Sequence, residues 1–181
     1  MTAEAALCRL KDGNVAYLRS NSYSDRTGPE IRLETAENGQ HPYAVILGCA
    51  DSRAIPELIF HAGIGELFTI RSAGNVIGAH ELGSMEYAVD HLGVKLIVVL
   101  GHTGCGAVAA ALHTGSEGHV ASILDEIRRA AGGASDPAQV CIRNIRRSVD
   151  RIRNELPLPD GVTVCGALCH LADGTVEFLD A

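Results

Sequence analysis

The chain has 181 residues, of which 46% are hydrophobic but only 4% aromatic, and its formal net charge is -7. This length fits one domain around a single core, and the scarcity of aromatic residues indicates a core of Ala, Val, Leu and Ile, which is typical of α/β proteins. The acidic balance argues against a nucleic-acid partner, because nucleic-acid binders neutralise phosphates with Lys and Arg.

The N-terminal segment and the cysteines indicate the compartment. Residues 1–10 contain an early acid and no basic region followed by an apolar run, so no secretory signal is predicted. No run approaches the roughly 18 apolar residues that span a bilayer, so no membrane partner is expected either. We therefore expect a cytoplasmic protein. In that reducing compartment the six cysteines are interpreted as thiols, metal ligands or core residues rather than disulfides.

Hydrophobic periodicity predicts alternating strands and helices in a single domain, 1–181, with a helical N-terminal arm and loop at 1–40 and an α/β core at 41–181. Helices are predicted at 3–19, 31–37, 56–61, 79–92, 104–113, 118–131 and 138–155, and strands at 43–48, 67–71, 94–100, 162–168 and 175–179. The first helix, in which Gly13 is a weak point, is expected to pack outside the main sheet. The order predicts a mostly parallel central sheet with an antiparallel edge and helices on both faces.

Reactive side chains follow two of these predicted strands. Cys49, Asp51 and Arg53 come after the first strand, and His102 and Cys105 come after the third. Open α/β sheets bind ligands at the carboxyl ends of their strands, so these side chains are expected to share one crevice. Two thiolates and one neutral imidazole balance the charge of Zn²⁺ and leave a fourth position open, as catalytic zinc sites do. The alternative is that both cysteines are core residues and the histidine is a helix cap.

Asp51 and Arg53 alternate with Cys49 along an extended segment, so all three can face the same side. An aspartate close to zinc either becomes its fourth ligand or, when it is paired with arginine, is withheld from the metal. That choice decides whether water can bind. The alternative is an ordinary turn with a partly exposed ion pair, which contributes little to stability.

Four motifs in a compatible order resemble those of the β-class carbonic anhydrases. They are Gln40 with Cys49-Ala-Asp51-Ser-Arg53, Arg71-Ser-Ala-Gly-Asn75, Glu86-Tyr87-Ala88-Val89, and Gly101-His102-Thr-Gly-Cys105-Gly106. The resemblance is dense over 40–112 and looser elsewhere. It implies one Zn²⁺ per chain, an α/β fold, and helical N-terminal arms that embrace a partner copy in a homodimer or larger assembly.

The resemblance also implies roles for individual residues. Cys49, His102 and Cys105 would be the zinc ligands, and Asp51 with Arg53 would form the dyad that controls the fourth position.

The remaining implied residues belong to the substrate pocket. Gln40 would orient the substrate, while Phe68 and Tyr87 would line the pocket, partly from the neighbouring subunit. Without the resemblance, Gln40 is a polar loop residue, Phe68 a core strand residue, and Tyr87 part of the buried face of a helix.

The implied activity is the reversible hydration of CO2 to bicarbonate and a proton by zinc-bound hydroxide. Two alternatives stay open. One is hydrolysis of carbonyl sulfide at the same zinc site, which the metal ligands alone do not distinguish from CO2 hydration. The other is a zinc-binding interaction module without turnover, against which the intact Gln40, Asp51 and Arg53 argue.

Overall fold

The computed structural model describes residues 1–20, 24–113, 115 and 117–179 of the chain. The strands in this part are β1 (Ala44–Cys49), β2 (Leu67–Ser72), β3 (Leu96–His102), β4 (Thr163–Cys169) and β5 (Val176–Leu179). The α-helices there are α1 (Ala3–Arg19), α2 (Pro29–Asn38), α3 (Pro56–Ile59), α4 (Ala79–Leu92), α5 (Gly106–Ala111), α6 (Val120–Ala131) and α7 (Pro137–Glu155), and Ala73–Asn75 forms a short 3-10 helix. Within the same residues, no helix has the length and apolar character needed to cross a bilayer.

The five strands form one sheet in the order β2-β1-β3-β4-β5. The first four strands in this order are parallel, and β5 runs antiparallel to β4 at one edge. Every residue of β1 and β3 is buried, which explains why these strands are continuous apolar runs without alternation. The predicted sheet, mostly parallel with an antiparallel edge, is confirmed.

Helices cover both faces of the sheet, as predicted. On one face, side chains of α4 and α7 pack against β1 and β3. On the other face, side chains of α1 and α3 pack against the opposite sides of the same strands. A third cluster, built largely by α5 and α6, closes over the carboxyl ends of the central strands and contains Cys49 and Cys105.

The position of α1 corrects an expectation, because this helix does not pack outside the main sheet. Leu10 is fully buried in the cluster that includes β1 and β3. Gly13 permits the close approach, since a Cβ there would lie 2.0 Å from the carbonyl oxygen of Phe60. Asn14 then donates from Nδ2 to the carbonyl oxygen of Ile59 at 3.1 Å. The glycine that weakens the helix is what allows it to dock.

The second N-terminal helix is placed differently. None of the ten residues of α2 is fully buried, and only Ile31 and Thr35 are half-buried. The division into an arm at 1–40 and a core at 41–181 stays a prediction.

Leu10→Ala should lower the free energy of unfolding by about 2–5 kcal/mol, because it leaves a cavity between α1 and the sheet. Leu18→Ala is the matched control on the same helix, where the side chain is 43% exposed, and should cost about 1 kcal/mol or less. Urea unfolding of both variants at equal protein concentration gives the comparison. Equal costs would contradict the packing of α1 on the sheet.

Candidate metal centre

The carboxyl ends of β1 and β3 bring three predicted metal ligands together. Cys49 ends β1, His102 ends β3, and Cys105 caps the start of α5. Their ligand atoms all lie within 4.8 Å of one another, and the two sulfur atoms are 4.0 Å apart. All three residues are buried. The cluster therefore has the size and the donor atoms of a mononuclear metal site.

The hydrogen bonding of His102 shows that a cation fits this cluster. Nδ1 lies 3.0 Å from the carbonyl oxygen of Thr103, which can only accept, so Nδ1 carries the proton and Nε2 presents a lone pair. Nε2 is buried and has no hydrogen-bond partner among the residues that the structure describes. An unpaired buried polar atom is costly, and a bound metal ion removes that cost. Two cysteine sulfurs and one imidazole nitrogen form a donor set that suits zinc.

The two cysteines titrate as a pair. The pKa of Cys49 is well below that of an ordinary thiol because Cys105 hydrogen-bonds to its sulfur, and the backbone N–H groups of Asp51 and Gly74 also donate to it, at 3.4 and 3.2 Å. The pKa of Cys105 is raised, since it holds the proton that it shares with the neighbouring thiolate. One sulfur is thus already prepared as an anionic ligand, and metal binding displaces the remaining proton.

Asp51 and Arg53 form a tight ion pair at the edge of the cluster. Arg53 donates from Nε to Asp51 Oδ1 at 3.0 Å and from Nη2 to Oδ2 at 2.7 Å, and its backbone N–H donates to Oδ1 at 3.0 Å. These bonds hold the pKa of the Asp51 carboxyl well below its usual range. Asp51 Oδ2 lies 3.8 Å from His102 Nε2. An ionised carboxylate therefore borders the candidate ligands while it is engaged by arginine.

Arg71 is a site residue to which the sequence assigned no role beyond membership of a motif. Its Nε donates to the carbonyl oxygen of Cys49 at 2.9 Å, and its Nη2 donates to that of Asp51 at 2.6 Å. These contacts depend on the pairing of β2 with β1, in which Arg71 lies opposite Gly48. The hydrophobic pattern of the sequence does not reveal the register between β1 and β2. Membership of the motif was therefore the only sequence signal that Arg71 belongs to the site.

The predicted pocket residues lie away from the cluster of their own chain. Gln40 is exposed on the loop before β1. Phe68 pairs with Val45, four residues before Cys49, and is therefore about 13 Å along the strand from the cluster. The rings of Phe68 and Tyr87 are in contact, with centroids 6.2 Å apart.

The expectation that Tyr87 lies on the buried face of its helix is wrong, because its exposed fraction is 48%. Met85, Ala88 and Val89 occupy the buried face of α4. A residue two positions after Met85 projects roughly 200° around the helix and so points away from the core.

Comparison with known proteins places the chain in a family. A family model described as carbonic anhydrase matches residues 44–176, which is most of the chain. The crystal structure of a β-carbonic anhydrase from Aspergillus fumigatus superposes with a TM-score of 0.70 at 28% identity, covering 98% of this chain and 90% of that one. The chain belongs to the β-carbonic anhydrase family. Members of this family depend on zinc, in agreement with the donor set of the cluster.

Further relatives agree with this assignment. A carbonic anhydrase of Mycolicibacterium smegmatis is 36% identical over 189 residues, covering 96% of this chain and 91% of the relative. Carbonic anhydrase 2 of Mycobacterium tuberculosis is 45% identical over 129 residues, covering 70% of this chain and 62% of the relative. A carbon disulfide hydrolase shares the fold alone, with a TM-score of 0.59 at 16% identity, covering 81% of this chain and 85% of that one.

Cys105→Ser should abolish stoichiometric zinc binding in this carbonic anhydrase. Loss of a supporting hydrogen bond already weakens metal sites 10–100-fold, so loss of a thiolate ligand should exceed about a hundredfold. Cys141→Ser is the matched control, because Cys141 is also buried and donates from Sγ to the carbonyl oxygen of His102 at 3.3 Å, a bond that a serine hydroxyl can replace. Zinc analysis of both purified variants should find metal only in the control. Full zinc in Cys105→Ser would exclude this residue as a ligand.

Proposed function

We propose that the chain catalyses the reversible hydration of CO2 to bicarbonate and a proton, using one zinc ion held by Cys49, His102 and Cys105. The observation that carries this proposal is the convergence of three metal-binding atoms beside an ionised Asp51–Arg53 pair in a member of the β-carbonic anhydrase family. Zinc in such a site lowers the pKa of a coordinated water to about 7, which supplies a nucleophile for the carbon of CO2 at neutral pH.

Asp51 is proposed to govern the coordination position that the three ligands leave free. Because Arg53 engages both oxygens of its carboxylate, Asp51 is held back from the ligand set, and the position stays available. An ionised carboxylate only accepts hydrogen bonds, so Asp51 would accept one from the O–H of the attacking nucleophile and would orient the lone pair of that nucleophile towards CO2. Arg53 keeps Asp51 in the ionised form that this role requires.

A second copy of the chain is proposed to complete the pocket, in a homodimer or a larger assembly. Gln40 would donate a hydrogen bond to a substrate oxygen, and Phe68 with Tyr87 would supply apolar walls. The support is their placement, since Gln40 and Tyr87 are exposed in the single chain and Phe68 is distant from its own cluster. An exposed tyrosine in contact with a phenylalanine ring is typical of a surface that a partner covers.

The cytoplasm is the proposed compartment. All six cysteines are free thiols, including the exposed Cys8. Free thiols persist in a reducing compartment, which supports this proposal.

Zinc-loaded protein should hydrate CO2 in a stopped-flow assay from about pH 7 to about pH 9, with kcat/KM of at least about 10⁴ M⁻¹s⁻¹. Zinc content is measured on the same sample, and carbonyl sulfide is assayed beside CO2. Stoichiometric zinc without hydration would contradict the proposal. Turnover of carbonyl sulfide alone would reassign the substrate, and zinc without either activity would indicate an interaction module.

The variant that accompanies this assay is Asp51→Asn. It should keep zinc but lose about 10²–10³-fold in kcat, because the amide carries no charge and no longer holds Arg53. Asp125→Asn is the matched control, since Asp125 also pairs with an arginine, Arg128 at 3.0 Å, on the surface of α6. Its activity should equal that of the unmodified chain. Full activity in Asp51→Asn would remove this carboxylate from the mechanism.

Mixing two inactive chains tests whether the pocket is shared between subunits. If Gln40 serves the zinc of its partner, coexpressed Asp51→Asn and Gln40→Ala chains should recover about a quarter of the unmodified activity, because half of the dimers are mixed and each mixed dimer has one intact site. If Gln40 serves its own chain, mixing should restore nothing. A monomer in light scattering at micromolar concentration would also count against a shared pocket.

A further inference from the structure

The Asp51–Arg53 pair is closed within one short loop. Arg53 follows Asp51 by two residues, its side chain is 61% exposed, and it reaches outside the loop only weakly, to the carbonyl oxygen of Gly104 at 3.4 Å. An ion pair between two residues of one loop determines the shape of the loop, but it does not determine the distance of the loop from other elements. The distance between the Asp51 carboxylate and His102 must therefore be set by contacts from outside the loop.

Arg71 provides such contacts from β2. It bonds the carbonyl oxygens of Cys49 and Asp51, which are residues i and i+2 of the loop. A guanidinium donates along directions that are fixed in one plane, so two such bonds set the orientation of the peptide groups as well as their position. Cys49 pairs with Ser72 in the sheet, so the start of the loop is fixed beside β2.

Small movements of this loop matter because of what the carboxylate can do. Asp51 Oδ2 borders the candidate ligand atoms, at 3.8 Å from His102 Nε2. Carboxylate oxygens are themselves zinc ligands. A loop that moves toward His102 would let Asp51 occupy the coordination position that the hydration reaction requires.

We propose that Arg71 is a positioning residue that holds the Asp51 loop against β2 and thereby keeps the Asp51 carboxylate on Arg53 and off the fourth coordination position. The proposal rests on the function proposed above for Asp51. Arg71 acts through the peptide groups of Cys49 and Asp51, since its side-chain hydrogen bonds to the loop go to their carbonyl oxygens and not to the Cys49 sulfur or the Asp51 carboxylate.

The test measures access to the coordination position directly. Arg71→Gln is loaded with Co²⁺, whose visible absorption reports its ligands, and is titrated with azide, a small anion that needs an open position. Metal content should be unchanged, but azide affinity should fall about tenfold, as expected when Asp51 occupies the position in about nine molecules of ten. In CO2 hydration with the zinc form, kcat should fall by a similar factor with little change in KM.

A second substitution separates positioning from a general structural role. In the Arg71→Gln/Asp51→Ala double variant no carboxylate competes for the metal, so azide affinity should equal that of Asp51→Ala alone. A structural defect would weaken azide binding in both backgrounds. The proposal is overturned if Arg71→Gln binds azide as tightly as the unmodified chain, or if its loss of affinity persists without the carboxylate.

Arg128 offers a matched control for the substitution itself. It donates from Nε to the carbonyl oxygen of Ala111 at 3.0 Å and from Nη2 to that of His113 at 2.9 Å, which are also residues i and i+2. Arg128→Gln should leave azide affinity and CO2 hydration unchanged.

If Arg71→Gln does not fold, Arg71→Lys is tested instead, because lysine keeps the charge but cannot hold both carbonyls in one plane. It should show a smaller loss of azide affinity, and an unchanged affinity would overturn the proposal.

The azide titration also separates this proposal from the proposed activity. It requires no turnover, so an unmodified chain that lacks CO2 hydration but shows the azide differences would overturn the activity and leave the role of Arg71. If the unmodified chain hydrates CO2 but binds azide as tightly as Arg71→Gln does, the activity stands and the role of Arg71 is overturned.

Discussion

The parallel pairing of β1 with β3 at the centre of the sheet is the constraint on which the site depends. The register places Gly48 opposite Leu100, so that the ends carrying Cys49 and His102 are neighbours. Both strands are buried along their whole length, and water does not compete with their hydrogen bonds. The distance between Cys49 and His102 therefore comes from backbone pairing and does not have to be established by the side chains themselves.

The candidate ligands and the Asp51 loop are held by different kinds of interaction. The cysteines of the cluster lie in a buried apolar environment. Besides one backbone hydrogen bond from Ala50 N–H to the carbonyl oxygen of Ser72, the loop is held by charged hydrogen bonds from Arg53 and Arg71, both of which are exposed. Salt and solvent weaken exposed charged contacts far more than they weaken apolar packing. Retention of the metal and control over its open position are thus separable properties of this fold.

Local signals in the sequence were sufficient to predict the helices and strands whose ends are marked by a particular residue type. The helix predicted at 79–92 is α4, which ends at Gly93 in the left-handed conformation that glycine favours. Contacts between distant segments were not predictable in this way. An apolar stripe shows that α1 has a buried side, but not that Leu10 meets the sheet. Periodicity likewise does not give the β1–β2 register that brings Arg71 to Cys49.

Gly74, which donates its N–H to the Cys49 sulfur, ties the chemistry of the site to the packing of a remote helix. Its φ is 67°, and a Cβ at this position would lie 2.8 Å from Ile127 Cδ1 of α6 and 3.1 Å from Ala107 Cβ. A side chain at this positive φ is strained, and it would also crowd Ala107, so the position favours glycine. The hydrogen bond to the Cys49 sulfur therefore depends on a backbone conformation that glycine adopts without strain.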